Sequence, residues 1–307
     1  MNSVTTNEPL KIGHVEIVDT FAEAFPIVGT RLIVTASSLQ WAKTSASEFC
    51  GDASSVIACD CEAAFERELS EAETPDCRPG VSILAFAFSR DALGKAISRR
   101  VGQSILTCPT TACYNGLFDV PRDKQIVVGG QIRFFGDGFQ GSKKVDGRRF
   151  WRIPVMDGEF VCEDRFGTIK GVAGGNILIM GNSARGALEA AVAAVDAMRT
   201  VPDVALPFPG GIVRSGSKVG SRYKKLPAST NDAYCPSLRG QTQSSISNQV
   251  EAVYEIVIDG LSEESVRAAM RAGLHAACRH PDVLQISAGN YGGKLGPFHF
   301  HLRELID

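Results

Sequence analysis

Glu255 is the residue whose type and setting are hardest to explain without chemistry. It lies in the apolar run VYEIVI (253–258). Alternation along a strand puts Val253, Glu255 and Val257 on one face and Tyr254, Ile256 and Ile258 on the other. If both faces are covered, the carboxyl group sits among apolar neighbours, its charged form is disfavoured and its pKa rises. A neutral carboxylic acid can then donate a hydrogen bond to a carbonyl oxygen as that oxygen becomes negative. If that face instead meets solvent at a sheet edge, or a subunit contact, Glu255 is an ordinary carboxylate. The pattern alone leaves both readings open.

Other combinations are incomplete. His299 and His301 share a face of one run but lack a third ligand for a metal centre. His14, His275 and His280 show no pairing, and Cys59-Asp60-Cys61 reads as structural. The glycine-rich strings GGQ (129–131), AGGN (173–176), PGG (209–211) and GNYGGKLG (289–296) match neither a phosphate loop nor a dinucleotide fingerprint. No Gly-x-Ser-x-Gly elbow occurs. No metal, flavin or nicotinamide is therefore expected. The stretch LPASTNDAYCP (226–236) carries Ser229, Thr230, Asn231 and Asp232 in succession. These types favour turns, because their short side chains bond nearby backbone.

Alternating α and β segments must position these residues. Arg31 to Thr35 is a short apolar run, followed by helical spacing at Leu39, Ala42, Ala46 and Phe49. Val81 to Phe88 reads as a buried strand, and Ser89 caps a helix carrying Leu93, Ala96, Ile97 and Val101. Residues 126–134 and 149–155 read as extended segments around the loop GDGFQGSKKVDGRR. Ile177 to Met180 is a strand, 183–198 an Ala-rich helix, and 253–258 a strand. Ser262 caps a helix with Val266, Ala269, Met270, Leu274 and Ala277 inward, and 283–286 and 298–302 close the chain as strands.

The order repeats. A shift of 145 residues pairs Asp19 with Asp164, Gly29 with Gly174, Leu32-Ile33-Val34 with Ile177-Leu178-Ile179, and Ser38 with Ser183. A shift of 173 pairs Ser89 with Ser262 and Ala96 with Ala269. Each half thus reads strand, helix, strand, strand, helix, strand. The expectation is an α+β protein of two ferredoxin-like (split βαβ) lobes related by internal duplication, at 1–157 and 158–307.

Composition bounds the function. Hydrophobic residues make up 44% of 307, so a sizeable core is expected, with order everywhere but the tip MNSVTTNEP. A net charge of −2, from 32 basic and 34 acidic residues, gives no reason to expect nucleic acid or an anionic membrane as partner. Nine scattered cysteines with no Cys-x-x-Cys suggest neither a disulfide framework nor a zinc ribbon. No apolar run approaches the ~18 residues of a membrane span, and a cytoplasmic location is expected.

DTFAEAF (19–25), RPGVSIL (78–84), RVGQSILTCPT (100–110), FFGDGFQ (134–140), DRFGTIKGVAGGN (164–176), PFPGGIV (207–213), LPASTNDAYCP, VYEIVIDGL (253–261) and ISAGNYGGKLG (286–296) resemble the formylmethanofuran:tetrahydromethanopterin formyltransferases, from about residue 12 to residue 302. The resemblance implies a homo-oligomer, tetramer or dimer, with sites between subunits. It also implies formyl transfer between the amine of a methanofuran and the position-5 nitrogen of tetrahydromethanopterin. These two coenzymes would be substrates, with no cofactor bound permanently and, by likeness to bacterial relatives, formyl hydrolase subunits as partners.

The resemblance places the catalytic acid at Glu255. It makes Ser229, Thr230, Asn231 and Asp232 a pocket-lining loop. Gly174, Gly175, Asn176, Ser287 and Asn290 are further binding candidates at strand ends, and Lys294 would meet a coenzyme carboxylate or phosphate. Such chemistry needs no nucleophilic side chain, because one amine attacks the carbon the other leaves; the protein supplies alignment, oxyanion stabilisation and a proton. Two alternatives are a non-catalytic assembly subunit and a tandem ferredoxin-like ligand-binding module. Retention of Glu255 and the STND stretch speaks against the first, and the absence of room for a separate effector domain against the second.

Overall fold

The computed structural model describes residues 10–307; the tip MNSVTTNEP lies outside them. In chain order its main elements are β1 (Phe21–Thr35), α1 (Leu39–Cys50), β2 (Glu62–Leu69), β3 (Gly80–Ala87), α2 (Arg90–Arg100), β4 (Ala112–Asn115), β5 (Gly141–Val145), β6 (Arg148–Val155) and β7 (Gly158–Glu163). They continue with β8 (Ile169–Gly181), α3 (Ala184–Met198), β9 (Val204–Ala205), β10 (Ala252–Gly260), α4 (Glu263–Ala277), β11 (Val283–Ser287) and β12 (Phe298–His301). The fold is α+β, built on one large mixed sheet.

Local chemistry explains the helix starts. Ser38, Ser89, Ser183 and Ser262 all have extended backbone, and each side chain accepts the N–H of the residue three positions on. This satisfies one of the amides that a helix start leaves without partners. Each helix then buries one face. Ala42, Ala46, Phe49, Leu93 and Ile97 pack on Leu32, Val34, Val81 and Ile83. Ala191, Val195, Val266, Met270 and Leu274 pack on Ile177, Ile179, Ile256, Ile258 and Ile286.

In the N-terminal half the strands lie in the order β2-β3-β1-β4, and in the C-terminal half β9-β10-β8-β11. The halves join without a break, because Phe25–Gly29 of β1 pairs antiparallel with 169–173 of β8. At this seam a small apolar cluster forms from Ile27, Ala64, Leu84 and Phe86 of one half and Ala173, Ala205 and Leu261 of the other.

Two expectations are corrected, and one strand was not anticipated. Residues 126–134 are not one extended segment: only Gln125–Val127 is strand, and single helical turns follow at Gly129–Ile132 and Arg133–Gly136. A Cβ on Gly129 would sit 2.4 Å from the Glu163 carbonyl oxygen, so only glycine lets the two backbones approach this closely there. The string GDGFQGSKKVDGRR is not all loop; β5 and β6 form a hairpin whose Asp146-Gly147 turn has φ of 49° and 77°, the conformation that suits strand twist. The strand β2, EAAFEREL, escaped notice because its residues are helix formers, and its place beside β3 overrides that propensity.

A buried ion pair also ties the halves together. Arg31 donates to both Glu66 oxygens at 2.8 and 2.6 Å and to Asp203 across the seam. Burial pushes the Glu66 carboxyl up, but Arg31 outweighs it and holds the group below its usual value. Among the described residues, no helix is long and apolar enough to cross a membrane.

Arg31→Met strands the Glu66 carboxylate, whose side chain is 5% exposed, and is expected to lower stability at pH 7 by about 3 kcal/mol. Because Glu66 is held below its usual value, that loss should shrink as pH falls and the carboxyl protonates in both states. Urea unfolding at pH 7 and pH 4 checks both statements.

Candidate active site

The side of β8, β10 and β11 that carries no helix holds Glu255, Asn176 and Ser287 of the polar residues singled out above. Register places Leu178 opposite both Glu255 and Ser287, and Asn176 opposite Val257, so these residues share that face. The segment 206–251 folds back over it, with Tyr234, Ile246 and Val250 packing on Leu178, Met180 and Val253. Tyr234 belongs to LPASTNDAYCP, so this stretch is anchored beside the strand that carries Glu255.

Glu255 is 7% exposed. Its backbone is held on both sides: in β10 it pairs with Leu178, and on the other edge it exchanges two hydrogen bonds with Val213, at 2.7 and 3.1 Å. Burial pushes its carboxyl up to about 7. The group is thus a neutral or half-neutral acid at physiological pH, as the pattern of VYEIVI anticipated under the covered-face reading.

Tyr291, which the sequence analysis did not single out, stands next to it. Burial pushes its phenol up to about 12, and the neighbouring Glu255 and Glu23 carboxyls add to the rise. Its hydroxyl donates to the Ser217 carbonyl at 3.2 Å, linking the segment 289–296 to the segment that covers the sheet.

Glu23 was also missed. It is 1% exposed on β1, yet its carboxylate accepts backbone N–H groups from Tyr291 and Gly293, each at 2.9 Å, from Gly296 at 3.0 Å and from Leu295. Burial raises this carboxyl, but the four amides outweigh it and hold the group below its usual value. The loop lies so close that a Cβ on Gly296 would stand 2.1 Å from the Ala24 carbonyl oxygen. The signal was present: Glu23 interrupts FAEAF as Glu255 interrupts VYEIVI.

The remaining predicted residues divide. Asn176 is buried; its amide donates to the Gly174 carbonyl at 2.9 Å and its oxygen accepts the Gly289 N–H. Ser287 is buried across Leu178 from Glu255. Gly174 turns with φ +90° beside Phe25, while a Cβ on Gly175 would strike Val266 at 2.4 Å, so Gly175 serves helix packing. Ser229 donates to the Gly220 carbonyl at 2.7 Å, Thr230 to that of Ser215 at 3.3 Å, and Asp232 pairs with Lys218. These three side chains hold their own loop together, and Asn231 packs on Gly216. Asn290 lines an open cleft of about 490 Å³ with Phe21, His301 and Arg303, and Lys294 is exposed.

His299 lies opposite Glu23 in register and stacks on Phe21 at 4.5 Å. Among the described residues, no group of three His, Cys, Asp or Glu side chains is placed to hold a metal ion.

The arrangement places one raised carboxyl, with a phenol nearby, on a sheet face that the segment 206–251 covers. Glu255→Gln tests the electrostatics without any substrate. Since burial lifts Glu255 from 4.5 to about 7, the native state binds the extra proton between those values and loses stability as pH rises through them. The isosteric amide escapes this loss. Its thermal midpoint should exceed that of the parent above pH 7, by up to about 3 kcal/mol of stability, with the gap closing toward pH 4.5.

Comparison with known proteins covers nearly the whole chain. Residues 10–155 match the family model described as formylmethanofuran-tetrahydromethanopterin formyltransferase, and residues 158–305 match the model described as its proximal lobe. The chain is 57% identical over 298 residues to the formylmethanofuran–tetrahydromethanopterin formyltransferase of Methylococcus capsulatus, covering 96% of this chain and 99% of that protein. Its structure is similar to the corresponding enzyme of Methanosarcina barkeri, with a TM-score of 0.91 at 48% identity over 96% and 100% of the two chains. It is also similar to a chain of the Methylorubrum extorquens formyltransferase/hydrolase complex with methylofuran, with a TM-score of 0.93 at 48% identity over 98% and 99%.

Proposed function

The chain belongs to the formylmethanofuran–tetrahydromethanopterin formyltransferase family, and we propose that Glu255 is the acid of its formyl transfer. The enzyme moves a formyl group between the position-5 nitrogen of tetrahydromethanopterin and the amine of a methanofuran, its two coenzyme substrates. The observation that carries the role of Glu255 is a buried, raised carboxyl on the face that the segment 206–251 covers.

In the proposed mechanism the acceptor amine attacks the formyl carbon, and the formyl oxygen becomes negative in a tetrahedral intermediate. The protonated Glu255 carboxyl donates a hydrogen bond to that oxygen and passes its proton to the departing nitrogen. The same carboxylate can take the proton that the attacking amine sheds, so the group ends the cycle as it began. Tyr291, Asn176 and Ser287 shape the pocket around it. The loop carrying Ser229, Thr230, Asn231 and Asp232 is read as one wall, Gly174, Gly175 and Asn290 as support, and Lys294 as a contact for an anionic coenzyme group.

The same reading extends to architecture and assembly. The shared strand order of the two halves, with Ser-capped helices at matching places, supports two ferredoxin-like lobes at 1–157 and 158–307 that arose by duplication. We take the working form to be a homo-oligomer, tetramer or dimer. The similarity to a chain of a formyltransferase/hydrolase complex supports formyl hydrolase subunits as partners.

Kinetics of two variants test the role of Glu255. Loss of one oxyanion donor typically lowers turnover on the order of 100- to 1,000-fold. Glu255→Ala should show such a fall in kcat with little change in KM. Glu255→Gln should lose less if hydrogen bonding dominates, and as much if proton transfer does. An Ala variant that folds, assembles and turns over within about threefold of the parent removes Glu255 from the mechanism.

A further inference from the structure

We propose that Glu62 and Asp259 share one proton across the seam between the two halves and position the loop that walls the Glu255 site, an inference that rests on that site being the one where formyl transfer occurs.

The two carboxyls come from opposite halves, Glu62 from β2 and Asp259 from β10, and are 5% and 0% exposed. One oxygen of each has a backbone donor: Glu62 accepts the Val56 N–H at 3.0 Å, and Asp259 accepts the Gly174 N–H at 3.2 Å. The second oxygen of each is buried with no donor from the rest of the described residues. Glu62 is the titratable group that acts on Asp259, and no lysine, arginine or histidine among the described residues forms an ion pair with either. Two carboxylates buried side by side with no basic side chain paired to either cannot both ionise. A single proton held between them supplies the donor that both orphaned oxygens lack. Burial, and then the other carboxyl, push Asp259 up in accord with this.

The pair is joined to the site by an unbroken run of hydrogen bonds. Gly174, fixed by Asp259, offers its carbonyl to the Asn176 amide at 2.9 Å. Asn176 accepts the Gly289 N–H, and Gly289 accepts the Glu23 N–H at 3.1 Å. The Glu23 carboxylate then gathers the amides of residues 291 to 296, Tyr291 included. Gly174 can take part because its φ of +90° belongs to glycine. Asp259 and Glu255 also share one face of β10, four residues apart in the chain. Glu62 and Asp259 are thus positioning residues that act through Gly174, and they tie the N-terminal half to the loop beside Glu255.

The test compares Asp259→Ala with Asp259→Asn in the full chain. Asparagine keeps the acceptor for Gly174 and gives Glu62 a permanent donor. It should hold kcat/KM within about twofold of the parent. Alanine removes both bonds, and misplacing a supporting element typically costs about 10- to 100-fold, which is the fall expected in kcat/KM. Hydrogen exchange of the amides of residues 289–296 should accelerate in Asp259→Ala and stay at the parental rate in Asp259→Asn. The thermal midpoint of the parent should fall more steeply than that of Asp259→Asn as pH rises, because only the parent can lose the shared proton.

The exchange measurement needs no activity, so a parent that transfers no formyl group sinks the functional reading while the loop comparison still decides this one. Unchanged exchange in a folded Asp259→Ala, or an Asp259→Asn that behaves like it, overturns the proposal. If Asp259→Ala does not fold, Asp259→Leu, which fills the space but likewise offers neither bond, is read in its place by the same criteria.

Discussion

The antiparallel pairing of Phe25–Gly29 with 169–173 is the constraint from which the rest of the structure follows. It turns two four-strand units into one sheet, so neither half closes its own edge. It brings β2 of one half against β9 and β10 of the other and creates the seam where Ala64, Leu84 and Phe86 meet Ala205 and Leu261. It also aligns Glu23 on β1 with the middle of β8, where Gly174 and Asn176 lie inside the strand rather than at its end as expected. A protein with the same two units joined by a loose linker would have the helices and strands but not the continuous face.

On that face three buried carboxyl sites have three electrostatic solutions. Glu23 is ionised because four amides converge on it, and its task is structural. Glu255 receives no such donors, so burial alone governs it and keeps a proton within reach of physiological pH. Asp259 has one amide and one carboxyl neighbour, an arrangement that calls for a shared proton. Donor count, rather than depth, separates the three. The same residue class thus takes three different charge states within one sheet, which the proposals above assign to an anchor, an acid and a tie.

Much of this was legible in the sequence because it depends on short-range physics. The serine caps at 38, 89, 183 and 262, the helical spacing after each and the apolar runs around Ile177, Val81 and Val253 all register in a few residues. Glu255 was legible for the same reason: a carboxyl in an apolar alternation is a local anomaly. Glu23 obeys the same rule in FAEAF and could have been found by it. Tyr291 could not, since its significance lies in meeting Glu255 and Ser217, which are distant in the chain. Likewise EAAFEREL reads as helix until β3 is beside it. The STND stretch shows the opposite limit: its residue types favour a turn, three of its side chains are engaged within their own loop, and only the resemblance makes it a pocket wall.

The two hydrogen bonds between Glu255 and Val213 bear on how quickly the site can act. The backbone under the carboxyl is clamped by main-chain atoms on both edges, so the position of the acid does not depend on a side-chain partner that would have to let go. When the proton leaves and later returns, no donor must swing in or out to follow the charge. In the mechanism proposed above, the proton step at Glu255 therefore asks little reorganisation of the backbone beneath it. A carboxyl gripped by an arginine would be held as firmly but would be locked in one ionisation state; a clamp on the backbone fixes the place and leaves the charge free to change.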